Sequence, residues 1–178
     1  MVPRLSAGIV LFRRPDGAGG VPEVLLAHPG GPFFTNRDAG HWTIPKGEPD
    51  GVTDLLEVAR REFEEETGHA APAALPDGTP PISLGTIVQK GGKVVHAWAI
   101  EGDLDPDGAE SNRFEMEWPP RSGRRQSFPE IDRVEWFRPA EARRRLKPTQ
   151  TPFVDRLLAF LGIDEDRDGA ADEEPDVR

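Results

Sequence analysis

From Ala59 to Gly68 the chain reads ARREFEEETG, and four of the five residues from Glu62 to Glu66 are acids. A charge run is usually a solvated helix face, but the neighbouring residues argue against that here. Thr53 suits a helix N-cap, Asp54 suits the positive end of the helix, and Gly68 suits its stop, so a helix is expected from about Thr53 to Thr67. At about 100° per residue, Leu55, Leu56, Val58, Ala59 and Phe63 share one apolar arc that must face a core. Glu62 and Glu66 fall inside that arc and Glu65 lies at its edge, whereas Glu57 and Glu64 point away. At i,i+3 and i,i+4 spacing these like charges repel. Unpaired carboxylates turned inward would protonate, unless a divalent cation reverses the sign of the local field. Only oxygen donors are on offer, which favours magnesium or manganese over zinc. Arg61 can orient the adjacent Glu62 through a charge-assisted hydrogen bond; a surface salt bridge is its plainer role.

The chain has 178 residues, enough for one proper core. Its net charge of −10 is unevenly placed, because Ile163 to Arg178 holds eight acids against two bases. We therefore expect one domain over 1–162 and an acidic, disordered tail over 163–178. No basic stripe with interleaved aromatics is present, which argues against long nucleic acid as a partner. The absence of cysteine excludes disulfides and thiolate chemistry. The apolar stretch before Arg13 is too short to span a bilayer or form a signal-peptide core. These features predict a cytoplasmic protein without a membrane partner, and they are silent on oligomeric state.

Two apolar runs, Leu5–Phe12 and Glu23–Ala27, flank a Gly/Pro-rich turn and predict a hairpin. A long loop follows from His28 to His41, then a short strand at Trp42–Ile44 running into Pro45-Lys46-Gly47. After the acidic helix, Ile82–Gln89 and Lys93–Ile100 form a second hairpin signal around Gly91-Gly92. Arg113–Trp118 and Ile131–Phe137 are expected strands with a basic loop, Pro119–Pro129, between them. Helices near Ala140–Leu146 and Pro152–Leu161 end the domain.

The acidic segment resembles the box of the Nudix hydrolases, G-x5-E-x7-R-E-U-x-E-E-x-G-U, where U is a bulky apolar residue. Gly47, Arg61, Glu62, Phe63, Glu65, Glu66 and Gly68 match at the right spacing. Thr53 stands where the first glutamate is expected, and His69 stands where an apolar residue closes the box. Glu48 or Glu57 is the available substitute for the missing carboxylate. A closer likeness is to Nudix proteins with a PKGE turn and a WPPRSG-like loop.

The resemblance implies an α/β fold, a mixed sheet between helices in an α/β/α sandwich. It also implies Mg2+ held by Glu62, Glu65, Glu66 and the carbonyl of Gly47. The implied reaction is attack of water on a diphosphate bridge in a small nucleotide, with Glu62 or Glu65 as base and Glu115 and Glu117 in reserve. Nucleoside triphosphates, dinucleoside polyphosphates and ADP-ribose are all compatible substrates. Because Thr53 removes one acid, a catalytically weak module that senses a nucleotide is the rival expectation.

Lys46 is placed to hold a substrate phosphate, although a solvated turn lysine fits equally well. Arg121, Arg124 and Arg125 are the best candidates for phosphate contact outside the box, each also readable as a solvated loop residue. His96, alternating with Val95 and Ala97 on a strand, is a candidate substrate contact or a structural histidine. Phe33, Phe34 and Trp98 suit either base stacking or the core.

Overall fold

The structure, a computed structural model, describes residues 2–165. The acidic tail therefore lies outside the described residues apart from its first three positions.

The central strand β1 (Leu5–Arg13) is buried from Ser6 to Phe12, as a strand covered on both faces must be. Its partner β2 (Glu23–Pro29) pairs with it only at Phe12↔Val24 and Arg13↔Glu23. Beyond that point the two strands part, and the chain from Thr43 to Gly47 enters between them. Thr43 exchanges both backbone hydrogen bonds with Ala27, at 2.8 and 2.9 Å, and the Pro45 carbonyl accepts from Ile9 N–H at 3.1 Å. Strand β3 (Lys46–Gly47) then pairs antiparallel with Gly8 and Ala7.

The expected hairpin is therefore an opened one, and the strand expected at Trp42–Ile44 is reduced to single bridges, with the ladder moved on to Lys46–Gly47. Pro45, lacking an N–H, breaks the ladder between them. Gly8 admits the wedge: a Cβ there would meet the Pro45 oxygen at 2.7 Å and the Lys46 Cβ at 2.8 Å.

After the wedge comes α1 (Leu55–Thr67). Its cap is Asp54 rather than the expected Thr53, because the Asp54 carboxylate accepts from Leu56 N–H at 2.9 Å and Glu57 N–H at 3.3 Å. Gly68 ends it with φ of 74°, the left-handed conformation that glycine adopts without strain. Strands β4 (Ile82–Val88) and β5 (Val94–Glu101) form the second expected hairpin, and β5 runs parallel to β1 from Leu5↔Val94 to Phe12↔Glu101.

The strand expected at Arg113–Trp118 forms as β6 (Arg113–Glu117), and the end of the segment expected as a basic loop folds back on it as β7 (Arg125–Pro129) in an antiparallel ribbon. Phe114 and Met116 alternate with exposed neighbours along β6, whereas β7 is exposed from Arg125 to Ser127 and carries no hydrophobic alternation from which a strand can be read. Strand β8 (Ile131–Phe137) pairs with β2, and α2 (Pro139–Arg145) and α3 (Thr151–Leu161) follow.

The mixed sheet has the order β4-β5-β1-β2-β8 with β3 inserted beside β1. Ala7, Ile9 and Leu11 pack with Val58, Ala59 and Phe63 of α1 on one face. Val10 and Phe12 pack with Ala142 of α2 and Phe153, Val154 and Leu157 of α3 on the other. This is the α/β/α sandwich expected. Burying a side chain such as Phe63 contributes roughly 1.5–3 kcal/mol.

The wedge is fastened from the α3 side by Gln150, which is fully buried. Its side-chain oxygen accepts from Ile44 N–H at 3.0 Å, and its amide donates to the Thr43 hydroxyl at 2.9 Å. Replacing Gln150 by Leu leaves the Ile44 N–H buried without an acceptor. Urea denaturation should show a loss of about 1–3 kcal/mol; unchanged stability would mean the wedge is held by the sheet alone.

Candidate active site

The helical register turns Glu62 toward β3, and its carboxylate rests on Gly47. A Cβ built at Gly47 would lie 1.8 Å from Glu62 Oε2, so only glycine admits this approach. Arg61 donates one guanidinium N–H to Glu62 Oε1 at 2.8 Å and another to the Glu48 carbonyl at 2.7 Å. It thereby ties the helix to the turn after β3. Arg61 Nε also lies 3.8 Å from Glu65, whose side chain is 40% exposed.

One turn further on, the Glu66 carboxylate accepts the backbone N–H of Lys46 at 3.1 Å. Burial pushes the Glu66 carboxyl up to about 8, against the lowering effect of the Lys46 charge and N–H, and the charges of Glu62 and Glu130 add to the rise. Burial, reinforced by Lys147, pushes Lys46 down to about 8, with Glu66 opposing.

The C-terminal carbonyls of α1 hold the approach to the ribbon. Asn112 N–H donates to the Glu65 carbonyl at 2.7 Å and Glu110 N–H to the Thr67 carbonyl at 3.0 Å. This brings Glu130, at the β7–β8 junction, beside the helix. Burial raises its carboxyl above the ordinary range, and so do the charges of Glu62 and Glu65. Glu130 thus joins the acidic cluster, although the sequence does not mark it: a residue between two strands has no periodicity to violate.

The donors fit a hard divalent cation, being carboxylate oxygens raised by burial and mutual repulsion beside a glycine cradle. Among the described residues, however, no three acidic or imidazole side chains converge into a formed metal group. The convergence of Glu62, Glu65 and Glu66 expected from sequence is looser here. Arg61 and Gly47 hold the first, solvent reaches the second, and the Lys46 N–H holds the third.

Other candidates lie farther out. Arg121, at the turn of the ribbon, and Arg124 are exposed, and Arg125 Nε is 3.5 Å from Glu115 with both side chains in solvent. Glu117 accepts from Gly123 N–H at 3.1 Å. The described contacts join none of these five to the glutamates of α1. Phe33 packs edge-on against Trp118 at 5.4 Å, outside the core.

His96 stacks on Trp98 at 3.9 Å and shares a 3.0 Å hydrogen bond with the Ser83 hydroxyl; burial lowers its pKa. It lies in the same cross-strand row as Ala7 and Gly47. Thr53 is exposed before the helix, and Glu48 is committed to Lys93 at 3.0 Å and to Arg4, so it does not replace the missing carboxylate. His69 bonds to the Thr67 carbonyl at 2.9 Å and belongs to the helix end.

The NUDIX domain family model matches residues 2–157. The chain belongs to the Nudix family. It is a Nudix-type pyrophosphohydrolase, and its fold is shared by solved members. A C. elegans Ap4A hydrolase in a binary complex is 20% identical with a TM-score of 0.60, over 88% of this chain and 98% of that one. The NUDIX domain of Shewanella oneidensis NrtR, complexed with ADP ribose, is 18% identical with a TM-score of 0.59, over 90% of each chain. A mutT/nudix family protein from Listeria innocua is 17% identical with a TM-score of 0.57, over 91% of this chain and 96% of that one. No curated protein matches the sequence itself. Among the described residues no helix is long and apolar enough to cross a membrane.

Two outcomes test the Nudix site as described. Gly47→Ala should displace Glu62 and lower turnover on the order of a hundredfold while the circular dichroism spectrum stays native; turnover within a few-fold of wild type would show that Glu62 need not touch β3. In chelator, Glu66 binds its proton more tightly folded than unfolded, so its contribution to stability falls as pH rises from 4.5 to about 8. Scanning calorimetry should therefore show Glu66→Gln gaining on wild type across that window; a constant difference would place Glu66 in solvent.

Proposed function

We propose that this protein hydrolyses a phosphoanhydride bond in a nucleoside diphosphate linked to another group, with Mg2+, or Mn2+ in its place, as the required ion. The observation that carries the reading is the Glu62 carboxylate seated on Gly47 one helical turn from Glu66, which is pinned to the Lys46 N–H. Glu62, Glu65, Glu66 and the Gly47 carbonyl would hold the ion, which when bound lowers the pKa of a water and neutralises charge on the phosphate oxygens.

The remaining roles belong to the chain. Arg61 fixes the direction of Glu62 by bonding its carboxylate and the Glu48 carbonyl together. Glu65, more exposed than Glu62 and less tightly paired, has room to accept a proton from water, and Glu62 is the alternative base. His96 and Trp98 offer a half-exposed aromatic pair in line with Gly47 for one end of a nucleotide. The neighbours named for Ap4A and crystallised with ADP ribose support a small nucleotide as substrate. Triphosphates, dinucleoside polyphosphates and ADP-ribose form the panel to assay.

Wild type should turn over at least one of these only with a divalent cation, and Glu65→Gln and Glu66→Gln should each lose roughly 10²–10⁴ of that rate. Tight nucleotide binding without turnover would replace the enzyme by a sensor. Turnover that survives chelation would dismiss the metal.

A further inference from the structure

A second charged site lies on the other side of β3 from Glu62. Successive residues of a strand point to opposite faces, and the 2.8 Å approach of Lys46 Cβ to a Cβ built at Gly8 places the Lys46 side chain away from α1. There it lies within electrostatic range of Lys93 and Lys147, which also feel each other. Lys93 pairs with Glu48 at 3.0 Å. The ammonium groups of Lys46 and Lys147 have no hydrogen-bonded or ion-paired side-chain partner among the described residues, and Glu66 is the negative charge that both sense.

A cleft of about 450 Å³ opens beside Lys147, between the Gln89–Lys90 end of the β4–β5 hairpin and the turn Lys147–Thr149. The wall that carries Lys147 is fixed. Lys147 N–H donates to the Trp42 carbonyl at 2.9 Å, and Gln150 is bonded to the wedge. Lys90 stands exposed on the opposite rim, and Gln89, Pro148 and Thr149 complete the lining. Two half-buried cations without partners repel each other and are poorly hydrated, an arrangement that an anion completes.

We propose that this cleft binds a phosphate group, with Lys147 as the principal contact, Lys90 facing it across the opening, and Lys46 and Lys93 supplying field from behind. The phosphate comes either from the far end of a polyphosphate substrate whose scissile bond lies at the glutamates, or from free orthophosphate. The first source rests on the function proposed above; the second does not.

Calorimetric titration of the whole chain in chelator, where no turnover is needed, separates this idea from the enzymatic one. Orthophosphate and tripolyphosphate are the probes, with wild type, Lys147→Gln and Lys147→Arg as proteins. We expect Lys147→Gln to weaken binding roughly tenfold and Lys147→Arg to retain it within about threefold. The unliganded Lys147→Gln protein should melt no lower than wild type, since it loses only a cation without a partner. Tighter binding of tripolyphosphate than of orthophosphate assigns the cleft to an extended substrate, and equal binding assigns it to free phosphate. Equal affinity of wild type and Lys147→Gln, or no phosphate binding by wild type, overturns the proposal whatever the nucleotide assays show.

Discussion

A carboxylate resting on an α-carbon is the contact from which this structure is best understood. Glu62 reaches β3 because position 47 has no side chain, and β3 reaches β1 because position 8 has none. The two glycines act in series, the first letting a strand into the sheet and the second letting an acid onto that strand. Neither approach tolerates a methyl group without moving backbone or charge, which is why the constraint is steric before it is electrostatic. Arg61 adds direction by bonding the carboxylate and the turn after Gly47 at once, so the helix and the wedge cannot slide past each other without breaking both bonds.

The wedge also explains how an ordinary sandwich acquires a charged site. Had β1 and β2 paired along their full lengths, α1 would have covered a continuous apolar sheet and its inward glutamates would have faced Val and Leu. Opening the hairpin beyond Phe12 and Val24 inserts a segment whose Lys46 backbone N–H donates to Glu66 and whose Gly47 Cα admits the Glu62 carboxylate. Gln150 satisfies the buried polar groups on the other side of that segment, so the opening does not leave the Ile44 N–H unmade.

What the sequence disclosed follows from what periodicity can report. The acidic helix was legible because Val58, Ala59 and Phe63 define a face on which Glu62 and Glu66 are out of place, and the structure buries that face. The strands β1, β2, β4 and β5 were legible from their apolar runs, and the sandwich that they build only through the resemblance of the acidic segment to the Nudix box. The opened hairpin was not, because a two-residue strand beside a proline has no period, and β7 was not, because Arg125, Gln126 and Ser127 are all exposed and give it none. Glu130 and Lys147 escaped for a related reason: each sits at a junction, and only the closure of distant segments brings them to β3. The arginines of the ribbon, adjacent in sequence and conspicuous by charge, stay outside the described site, so local charge density is a poorer guide than the face on which a charge falls.

The two sides of β3 then divide the electrostatics of the molecule. Glu62, Glu65 and Glu130 interact on the helix side, Lys46, Lys93 and Lys147 on the other, and Glu66 is coupled to both through the backbone N–H and the charge of Lys46. Because a strand is one residue thick, opposite charges are held within range of each other without being allowed to pair directly. A direct salt bridge between Lys46 and Glu66 would turn each charge toward the other and away from its own side of the strand. The alternation of Lys46 and Gly47 on successive faces prevents that collapse, and it does so with backbone geometry, which neither pH nor ionic strength alters.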